Sequence, residues 1–439
     1  MENMNRSKKG ASNESLVENP AGRSVRYLKT KPGPVLVIHG GAGLLLKKNS
    51  TPAQRELYKE ALRKALVAGN TVLQAGGQAM DAAVAAVTVM EDSPLFNAAH
   101  GAVFNVDGKN ELEASIMLSH PPPSHPSVPA SRKGFSLTLL TRAKNPSQMV
   151  RALYLEPSLA PHAFLSGAAA EEIGHKTGQE LVDPSYYCLT LLTRAKNPSQ
   201  MVRALYLEPS LAPHAFLSGA AAEEIGHKTG QELVDPSYYW TEHRWREHRR
   251  GLGLPETPFP GKPSEGMPFP PLDQLPTGTV GAVALDANGH IACCTSTGGK
   301  TNKLIGRVGD TPSMGSGFWA ETWSEPKRGL WAKVLRAAGR KTLRTRAVGV
   351  SGTGDGDYFI REATAVTLAR RMRYQGESLR SAAQQVVDDL RQASGMGGVI
   401  ALDNLGNVAM PMNSTGMYRG VIDNRGEPKV AIFDDDLLE

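Results

Sequence analysis

The sequence predicts an α+β protein in which β-sheets pack against each other beneath layers of helices. Predicted strands and predicted helices come in groups along the chain and do not alternate one by one, which disfavours a βαβ fold. The composition, with 40% hydrophobic and 21% charged residues, is typical of a globular protein, and 439 residues suffice for one large domain with insertions or for two to three domains.

The first predicted elements are a strand and a helix. Residues 35–38 form an apolar run that the glycine-rich segment HGGAG at 39–43 closes. Thr51 begins the capping box TPAQ, with proline at the first helical position, and predicts a helix that ends at Gly69. The remaining predicted elements are helices at 78–90, 358–373 and 378–394, strands at 279–286, 291–296 and 347–351, and a hairpin of 398–402 with 408–412.

Two segments of biased composition are predicted to be irregular. Residues 1–33 are polar and charged and predict a disordered tail. Residues 251–277 are rich in proline and glycine and predict an exposed linker. Since a strand is predicted directly after this linker, the linker delivers the Gly278–Thr279 bond to the start of that strand.

An internal duplication lies in the first half of the chain. Residues 137–187 recur without a single change at 189–239, joined by Cys188. Structural repeats normally diverge while they keep their pattern, so complete identity indicates a recent tandem duplication or an error in assembling the gene. Either copy could take the native place, and the surplus copy can loop out because the entropy of loop closure grows slowly with length.

Cysteine usage and charge point to a cytoplasmic protein without nucleic-acid or membrane partners. An odd number of cysteines, two of them adjacent at Cys293 and Cys294, argues against a disulfide framework and favours a reducing compartment. The N-terminal residues show no signal-peptide pattern, and no apolar run has the length of a membrane span. The net charge is +6, and the basic run 243–250 is interpreted as a solvated helix face.

The Gly278–Thr279 bond is where the sequence offers catalytic chemistry. A threonine at a chain start can act as a nucleophile with its own α-amine as the base, since that amine titrates at about pH 7.7–8.0 in reference peptides. Thr279 is internal, so this mechanism requires that the bond before it be cut. Gly278 permits the strained backbone and close approach that an N→O acyl shift needs. By itself the pattern also fits an ordinary strand start.

The glycines at 39–43 allow a second hypothesis. A strand followed by glycines can cradle a phosphate, as in amino-acid kinases, and would then bind ATP. Neither a Walker lysine motif nor a GxGxxG pattern follows these glycines, which disfavours that hypothesis.

Five segments in order resemble plant-type isoaspartyl peptidase/L-asparaginases, which are threonine-type N-terminal nucleophile hydrolases. They are residues 35–43, 79–117, 278–317, 347–361 and 397–420. The resemblance implies a four-layer αββα sandwich and a precursor that cuts itself into an α fragment, 34–278 after the tail, and a β fragment, 279–439. It implies a small-molecule substrate, asparagine or a β-aspartyl dipeptide, and a dimer of cleaved units.

The resemblance also implies a role for individual residues. Thr279 corresponds to the nucleophile freed by cleavage after Gly278, and Thr297 to a threonine that contacts it and aids its activation. The other implied residues are Asn97 near the nucleophile, Thr353 and Gly354 for the oxyanion, Arg307 and Asp310 for the substrate's α-carboxylate and α-amine, and Gly356 in the pocket lining. A guanidinium fork suits a carboxylate and an aspartate suits an ammonium, which agrees with these roles.

The family uses no organic cofactor, but the resemblance implies a structural sodium ion held by backbone carbonyls of the loop 90–100. The expected ligands are the carbonyls of Met90, Glu91, Phe96, Ala98 and His100.

Three departures from the family pattern bear on activity. Ala99 stands where the family usually has glycine, which would cost on the order of 1 kcal/mol if its φ is positive. Residues 321–344 form an insertion, interpreted as a surface elaboration near the pocket mouth, and the duplication is the third departure. Two alternatives therefore stay open: an inactive homologue whose duplication blocks maturation, and a glycosylasparaginase-like hydrolase, disfavoured by the lack of a signal peptide and a disulfide set.

Overall fold

A computed structural model describes most of the chain: residues 14–18, 24–28, 33–140, 145–155, 163–165, 216–218, 241–255, 278–326, 334, 337–339 and 342–439. Within these residues, helices pack on sheets whose strands are mostly antiparallel, which confirms the α+β class. No helix of this described part has the length and hydropathy of a membrane span.

The strands of the described residues form two main sheets and one separate hairpin. In chain order they are β1 (Glu14–Glu18), β2 (Ser24–Leu28), β3 (Val35–Gly43), β4 (Leu112–Leu118), β5 (Gly134–Leu140), β6 (Phe164–Leu165), β7 (Phe216–Ser218), β8 (Val280–Leu285), β9 (Ile291–Thr297), β10 (Phe318–Pro326), β11 (Leu343–Gly354), β12 (Gly397–Asp403), β13 (Val408–Ala409), β14 (Gly416–Ile422) and β15 (Lys429–Phe433). The large sheet has the order β15-β14-β3-β8-β9-β4-β5-β6-β7, the small sheet the order β10-β11-β12-β13, and β1 pairs with β2.

The helices fall into one group before residue 278 and one group after it. They are α1 (Pro52–Gln74), α2 (Ala79–Glu91), α3 (Pro146–Leu155), α4 (Glu242–Gly251), α5 (Gly356–Glu362), α6 (Thr364–Arg370) and α7 (Leu379–Gln392), with a π-helical turn at Arg371–Gln375 and 3₁₀ turns at Lys47–Asn49 and Ala99–Gly101. The helix predicted at 358–373 is divided between α5 and α6 because Ala363 adopts a left-handed conformation, with φ of 47°.

Helix α1 confirms its predicted start and corrects its predicted end. The Thr51 hydroxyl accepts from the Gln54 N–H at 3.2 Å, and Gln54 Oε1 accepts from the Thr51 N–H at 2.8 Å. The helix does not stop at Gly69. A Cβ there would lie 2.5 Å from Leu36 Cδ2 and 2.7 Å from the Ala82 carbonyl oxygen, so this glycine lets α1 approach β3 and α2 closely.

Three hydrophobic cores follow from the alternation of side chains along the strands. In β3, Leu36 and Ile38 pack with the helices α1 and α2, whereas Val35 and Val37 pack with residues of the small sheet such as Ile400. The third core lies between the small sheet and the helices α6 and α7. Cys293 and Cys294 are buried, free thiols whose side chains enter different cores, which agrees with the predicted absence of a disulfide between them; Cys188 lies outside the described residues.

The first copy of the duplication supplies structure at the end of the large sheet. It provides the last residues of β5, the helix α3 and the strand β6. Strand β7 belongs to the second copy and consists of the residues that correspond to β6, and both strands pair in parallel with β5. The rest of the second copy, and with it the predicted looping out, lies outside the described residues, as does the linker from residue 256 to 277.

Two predictions about charged segments differ from the structure. The strands β1 and β2 form an antiparallel hairpin within the segment predicted to be a disordered tail, where Val17 pairs with Val25 as strand-forming residues do. The basic helix α4 is not a solvated face, because His243, Arg244 and His248 are buried. Arg244 Nε donates to the Gly101 carbonyl at 2.8 Å, so the run of basic residues packs onto the body of the protein.

Candidate active site

A cavity of about 250 Å³ contains most of the residues that the sequence singled out. Its lining includes Gly278, Thr279, Thr297, Arg307, Asp310, Gly354 and Gly356. Thr279 directly precedes β8 in the middle of the large sheet, where Val280 pairs with Ser296 of β9. Thr279 and Thr297 therefore lie at the same end of the β8–β9 hairpin.

The peptide bond before Thr279 is packed so tightly that only glycine fits. A Cβ on Gly278 would lie 2.6 Å from the Ala42 nitrogen, 2.6 Å from Thr353 Oγ1 and 2.8 Å from the Gly41 Cα. Two of these neighbours are backbone atoms, which cannot move away cheaply. The glycine predicted to allow close approach at this bond has that function in the structure.

The Thr353 side chain forms a hydrogen bond with the peptide bond between Gly278 and Thr279. Its Oγ1 accepts from the Thr279 N–H at 3.0 Å and from the Ala42 N–H at 3.2 Å, and its side chain is fully buried. A hydroxyl has one donor and two acceptor positions, so two incoming N–H groups leave the Thr353 proton free to be donated. Gly354 follows at a φ of 143°, with no room for a side chain beside the Met396 carbonyl.

A hydrogen-bonded relay that sequence reasoning missed holds the Thr279 carbonyl. His39 Nδ1 donates to it at 2.8 Å, His39 Nε2 lies 2.7 Å from Ser351 Oγ, and Ser351 Oγ lies 2.9 Å from Thr295 Oγ1. Burial lowers the pKa of His39 to about 3, so the imidazole is neutral. A neutral ring that donates through Nδ1 accepts through Nε2, which fixes the Ser351 hydroxyl as its donor.

Because the relay joins β3, β9 and β11, it connects the two sheets beneath Thr279. It also explains Gly281, where a Cβ would collide with Ser351 Oγ and His39 Nε2. The glycines at 40, 41 and 43 lie within β3 and continue that strand, so they do not form the loop before a helix that a phosphate cradle needs.

The Asn97 side chain forms hydrogen bonds with the turn that follows Thr297. Its Nδ2 donates to the Gly299 carbonyl at 2.7 Å, its Oδ1 accepts from the Val103 N–H at 3.0 Å, and the Gly299 N–H donates to Thr297 Oγ1 at 3.0 Å. The structure thus brings Asn97 to the turn that carries Thr297, as a positioning residue.

The side chains of Arg307 and Asp310 both lie close to Gly356. A Cβ on Gly356 would collide with Asp310 Oδ1 and lie 3.2 Å from Arg307 Nη2, so the glycine keeps both groups open to the cavity. Arg307 Nη2 also lies 3.2 Å from Asp357 Oδ1, an exposed carboxylate on α5. Burial, and then the charge of Glu113, raise the pKa of Asp310 to about 7.

Glu113 is a further residue of the site that the sequence did not single out. It is fully buried in β4 and lines the cavity, and its Oε1 accepts from the Gly309 N–H at 2.7 Å. The sequence signal available was a single charged residue inside the strand LEASIML, where a carboxylate needs a reason to be buried.

The loop expected to hold sodium has converging carbonyls. A Cβ on Gly101 would collide with the Phe96 carbonyl oxygen and lie 2.7 Å from that of Pro94. His100 Nδ1 lies 3.2 Å from the Asp92 carbonyl oxygen, and the Met90 and Ala98 carbonyls accept backbone N–H groups. Ala99 has a φ of 43°, so the condition attached to its replacement of glycine is met.

Comparison with known proteins identifies the family. The sequence profile of a family described as Asparaginase matches residues 32–191, 188–324 and 341–432. The chain belongs to the asparaginase family. This family assignment makes it an amidohydrolase and confirms the resemblance seen in the five segments.

Curated relatives match this asparaginase-family chain over most of their own length. The isoaspartyl peptidase of Escherichia coli (strain K12) is 33% identical over 88% of this chain and 91% of its own length. The isoaspartyl peptidase of Salmonella typhimurium is 32% identical over 88% and 94%, and the isoaspartyl peptidase/L-asparaginase of Mus musculus 29% identical over 89% and 88%.

The boundaries of the three matched pieces bear on two departures from the family pattern, the duplication and the insertion at 321–344. The first two pieces overlap at residues 188–191, which are the joining Cys188 and the first three residues of the second copy, so the profile matches each copy in turn. Residues 325–340 remain unmatched; the first two of them end β10, and the others precede β11 in the chain, the strand with which β10 pairs. The insertion therefore lengthens a hairpin of the small sheet, and its first residues belong to β10.

Proposed function

We propose that this chain is a precursor that cuts itself between Gly278 and Thr279, and that the mature protein hydrolyses L-asparagine, β-aspartyl dipeptides, or both. One observation carries this proposal. The Gly278–Thr279 bond shares a single cavity with Arg307 and Asp310, so the group that would be freed by cleavage faces groups suited to an α-amino acid. The names of the relatives, isoaspartyl peptidase and L-asparaginase, support the same substrates.

Maturation begins at the Gly278 carbonyl. The Thr279 hydroxyl attacks this carbonyl carbon, the C–N bond breaks, and the proton from the hydroxyl ends on the departing nitrogen, which becomes the α-amine of Thr279. Water then hydrolyses the Gly278 ester, which frees the Thr279 hydroxyl. Thr353, with its proton free to be donated, lies beside this bond and can stabilise the oxyanion.

The mature site can repeat the same chemistry on a substrate. The Thr279 amine takes the proton of its own hydroxyl, and the oxygen attacks the side-chain amide carbon of asparagine or of a β-aspartyl dipeptide. The oxyanion accepts from Thr353 and from the Gly354 N–H, and the amine returns the proton to the departing ammonia or amino acid. Water then cleaves the aspartyl ester. The His39 relay holds the Thr279 carbonyl and so fixes the direction of the nucleophile.

Arg307 and Asp310 orient the substrate for this attack. The guanidinium can bind the α-carboxylate through two parallel hydrogen bonds, and the Asp310 carboxylate can accept from the α-ammonium. Asp357 contacts Arg307, so the guanidinium must be shared between Asp357 and the substrate carboxylate.

We also propose the four-layer αββα arrangement for this fold. Three successive cores support it: between the first helices and the large sheet, between the two sheets, and between the small sheet and the last helices. Cleavage would divide this sandwich into the fragments 1–278 and 279–439. The dimer of cleaved units and the cytoplasmic location stay predictions.

We propose a structural sodium ion in the loop before Asn97. The carbonyls of Pro94 and Phe96 converge beside Gly101, and carbonyl oxygens are ligands that hard cations bind. The ion would stiffen this loop and take no part in the reaction.

Ammonia release from L-asparagine and amino-acid release from a β-aspartyl dipeptide test the proposed function directly. The unaltered protein should show activity with at least one of them, and Thr279→Ala should show none because it removes the attacking oxygen. Thr279→Ser keeps that oxygen and serves as the matched control, with reduced but measurable turnover. Equal activity in Thr279→Ala and the unaltered protein would refute the proposal; a single uncut, inactive chain in the unaltered protein would favour the inactive homologue.

A further inference from the structure

We propose that Glu113 is a specificity residue that makes this cavity select zwitterionic α-amino acids over plain carboxylates. The inference rests on the proposed function, since it assigns a role within the same site. It starts from two buried carboxylate oxygens without a hydrogen-bond partner, Glu113 Oε2 and Asp310 Oδ2, both on residues that line the cavity. Buried polar atoms are nearly always paired, so orphaned oxygens on two residues of one cavity lining favour a ligand that donates hydrogen bonds.

The two carboxylates lie on either side of the Arg307 guanidinium. A Cβ on Gly309 would lie 2.9 Å from Arg307 Nη1 and 3.0 Å from Glu113 Oε2. On the other side, Asp310 Oδ1 and Arg307 Nη2 both border the position of a Cβ on Gly356. The group predicted to bind the substrate carboxylate is therefore enclosed by acidic groups.

Charge balance decides what this arrangement can bind. The positive groups that act on Glu113 are Lys303, which is buried with its Nζ 2.6 Å from the Glu111 carbonyl oxygen, and Arg307. The acidic side chains of the cavity lining are Glu113, Asp310, Asp355 and Asp357, and its basic side chains are Lys300 and Arg307, so carboxylates outnumber cations there. A ligand that brings only a carboxylate adds to this excess, whereas an α-ammonium offsets it and donates to the orphaned oxygens.

The pKa shifts of Glu113 and Asp310 agree with this balance. Burial raises the pKa of Glu113, against the attraction of Lys303, and Glu113 in turn helps to raise the pKa of Asp310 to about 7. The carboxyl groups of the cavity therefore bind a proton more readily than free carboxyl groups do, because too few positive groups lie near them. An α-ammonium supplies the positive charge in its place.

The experiment compares two substrates that differ only in the α-amine: L-asparagine and succinamate, its analogue without that amine. In Glu113→Gln we expect the preference for asparagine in kcat/KM to fall by about tenfold or more, chiefly through KM, because one negative charge near the α-ammonium is lost. The matched control is Glu111→Gln, which removes the same charge from a residue outside the cavity lining and should change the preference less than threefold by our estimate. An unchanged preference in Glu113→Gln overturns the inference.

A second measurement on the unaltered mature protein keeps the inference testable if Glu113→Gln does not fold. Calorimetry of L-aspartate and succinate gives the affinity ratio for ligands with and without the amine, independently of turnover. The ratio in favour of aspartate should fall as the pH is lowered from 8 to 6.5, since Asp310, whose pKa burial and Glu113 raise to about 7, is protonated over this range and loses the charge that the ammonium balances. A ratio that is constant or rises overturns the inference. If the protein does not turn over asparagine, that result counts against the proposed function. The affinities for aspartate and succinate are measured without turnover and therefore still test the inference.

Discussion

Two groups of residues share the cavity and differ in how the protein stabilises them. The hydroxyl cluster (Thr279, Thr297 and Thr353) is neutral, and the hydroxyls of Thr353 and Thr297 accept from backbone N–H groups, one of which is that of Thr279. The charged cluster (Glu113, Arg307, Asp310 and Asp357) is held by ion pairs and by glycines that leave room for the side chains. The first cluster depends on backbone position, and the second on electrostatic balance.

This difference separates chemistry from recognition. Because backbone atoms and the neutral His39 relay fix the hydroxyl cluster, its geometry should change little with pH. Because buried carboxylates fix the charged cluster, substrate affinity should follow their protonation. Changes in the hydroxyl cluster should therefore alter kcat and self-cleavage, and changes in the charged cluster should alter KM.

The largest expected effect belongs to Thr353→Val, which removes the only hydroxyl that contacts the Thr279 nitrogen in the described structure. Loss of a preorganised oxyanion donor should slow both self-cleavage and turnover by roughly 10²–10³-fold. Time courses of cleavage on denaturing gels and steady-state kcat measure the two effects. Thr322→Val, on β10 with its hydroxyl donating to the Arg346 carbonyl, is the matched control and should react normally. Normal cleavage in Thr353→Val would remove Thr353 from the mechanism.

Arg307→Lys should act on the other cluster. Lysine keeps the charge but loses the planar fork, so KM for asparagine should rise by about 10- to 100-fold with a smaller change in kcat. The control is Arg425→Lys, a pair with Asp423 on the protein surface, which should leave KM unchanged. An effect on kcat alone would mean that Arg307 belongs with the chemistry and not with recognition.

Gly278→Ala should separate maturation from turnover. The new methyl group would meet the Ala42 nitrogen and Thr353 Oγ1 at 2.6 Å, so the scissile bond must shift. We expect self-cleavage to slow by about tenfold or more, while protein that has already been cut should turn over substrate normally because residue 278 then ends the other fragment. Purified cut and uncut fractions, assayed separately, check this. Cleavage at the normal rate would show that the tight contacts at Gly278 are not needed.

The smallest predicted effect is the pH dependence of product affinity. Asp310 has a pKa raised to about 7, so it loses its charge as the pH falls through 7 and binds an α-ammonium less well. The dissociation constant of L-aspartate should rise about fivefold between pH 7 and pH 6. In Asp310→Asn, where no carboxylate remains to titrate at that position, calorimetry should give weaker binding with a flatter dependence. An equally steep dependence in both proteins would assign it to another group.

The sequence predicted the residues of the proposed active site better than the residues that support them. Thr279, Thr353, Arg307 and Asp310 lie in segments whose residue types and order resemble the family, and the structure brings their segments to one site. The Thr51 capping box was readable because its partners lie within one helical turn. These features depend on local sequence, which a single chain displays in full.

The parts that the sequence did not predict depend on contacts across the fold. His39 and Ser351 are far apart in sequence and meet only because β3 and β11 lie in sheets that face each other. Glu113 appears as one charge in a strand until its neighbours are known. Gly69 reads as a helix stop, yet tertiary packing against Leu36 makes it the residue that the helix needs in order to approach the sheet. Arg244 was read as solvated for the same reason, since its acceptor is the distant Gly101 carbonyl.

Intact-mass analysis combined with N-terminal sequencing of the purified protein shows whether Thr279 becomes a chain start. We expect two fragments, residues 1–278 and 279–439, with Thr279 as the first residue of the second. Thr279→Ala should remain a single chain of 47.0 kDa. A single uncut chain in the unaltered protein, or a cut at any other bond that leaves Thr279 internal, would exclude the proposed mechanism, because Thr279 would then lack the amine that makes it a nucleophile.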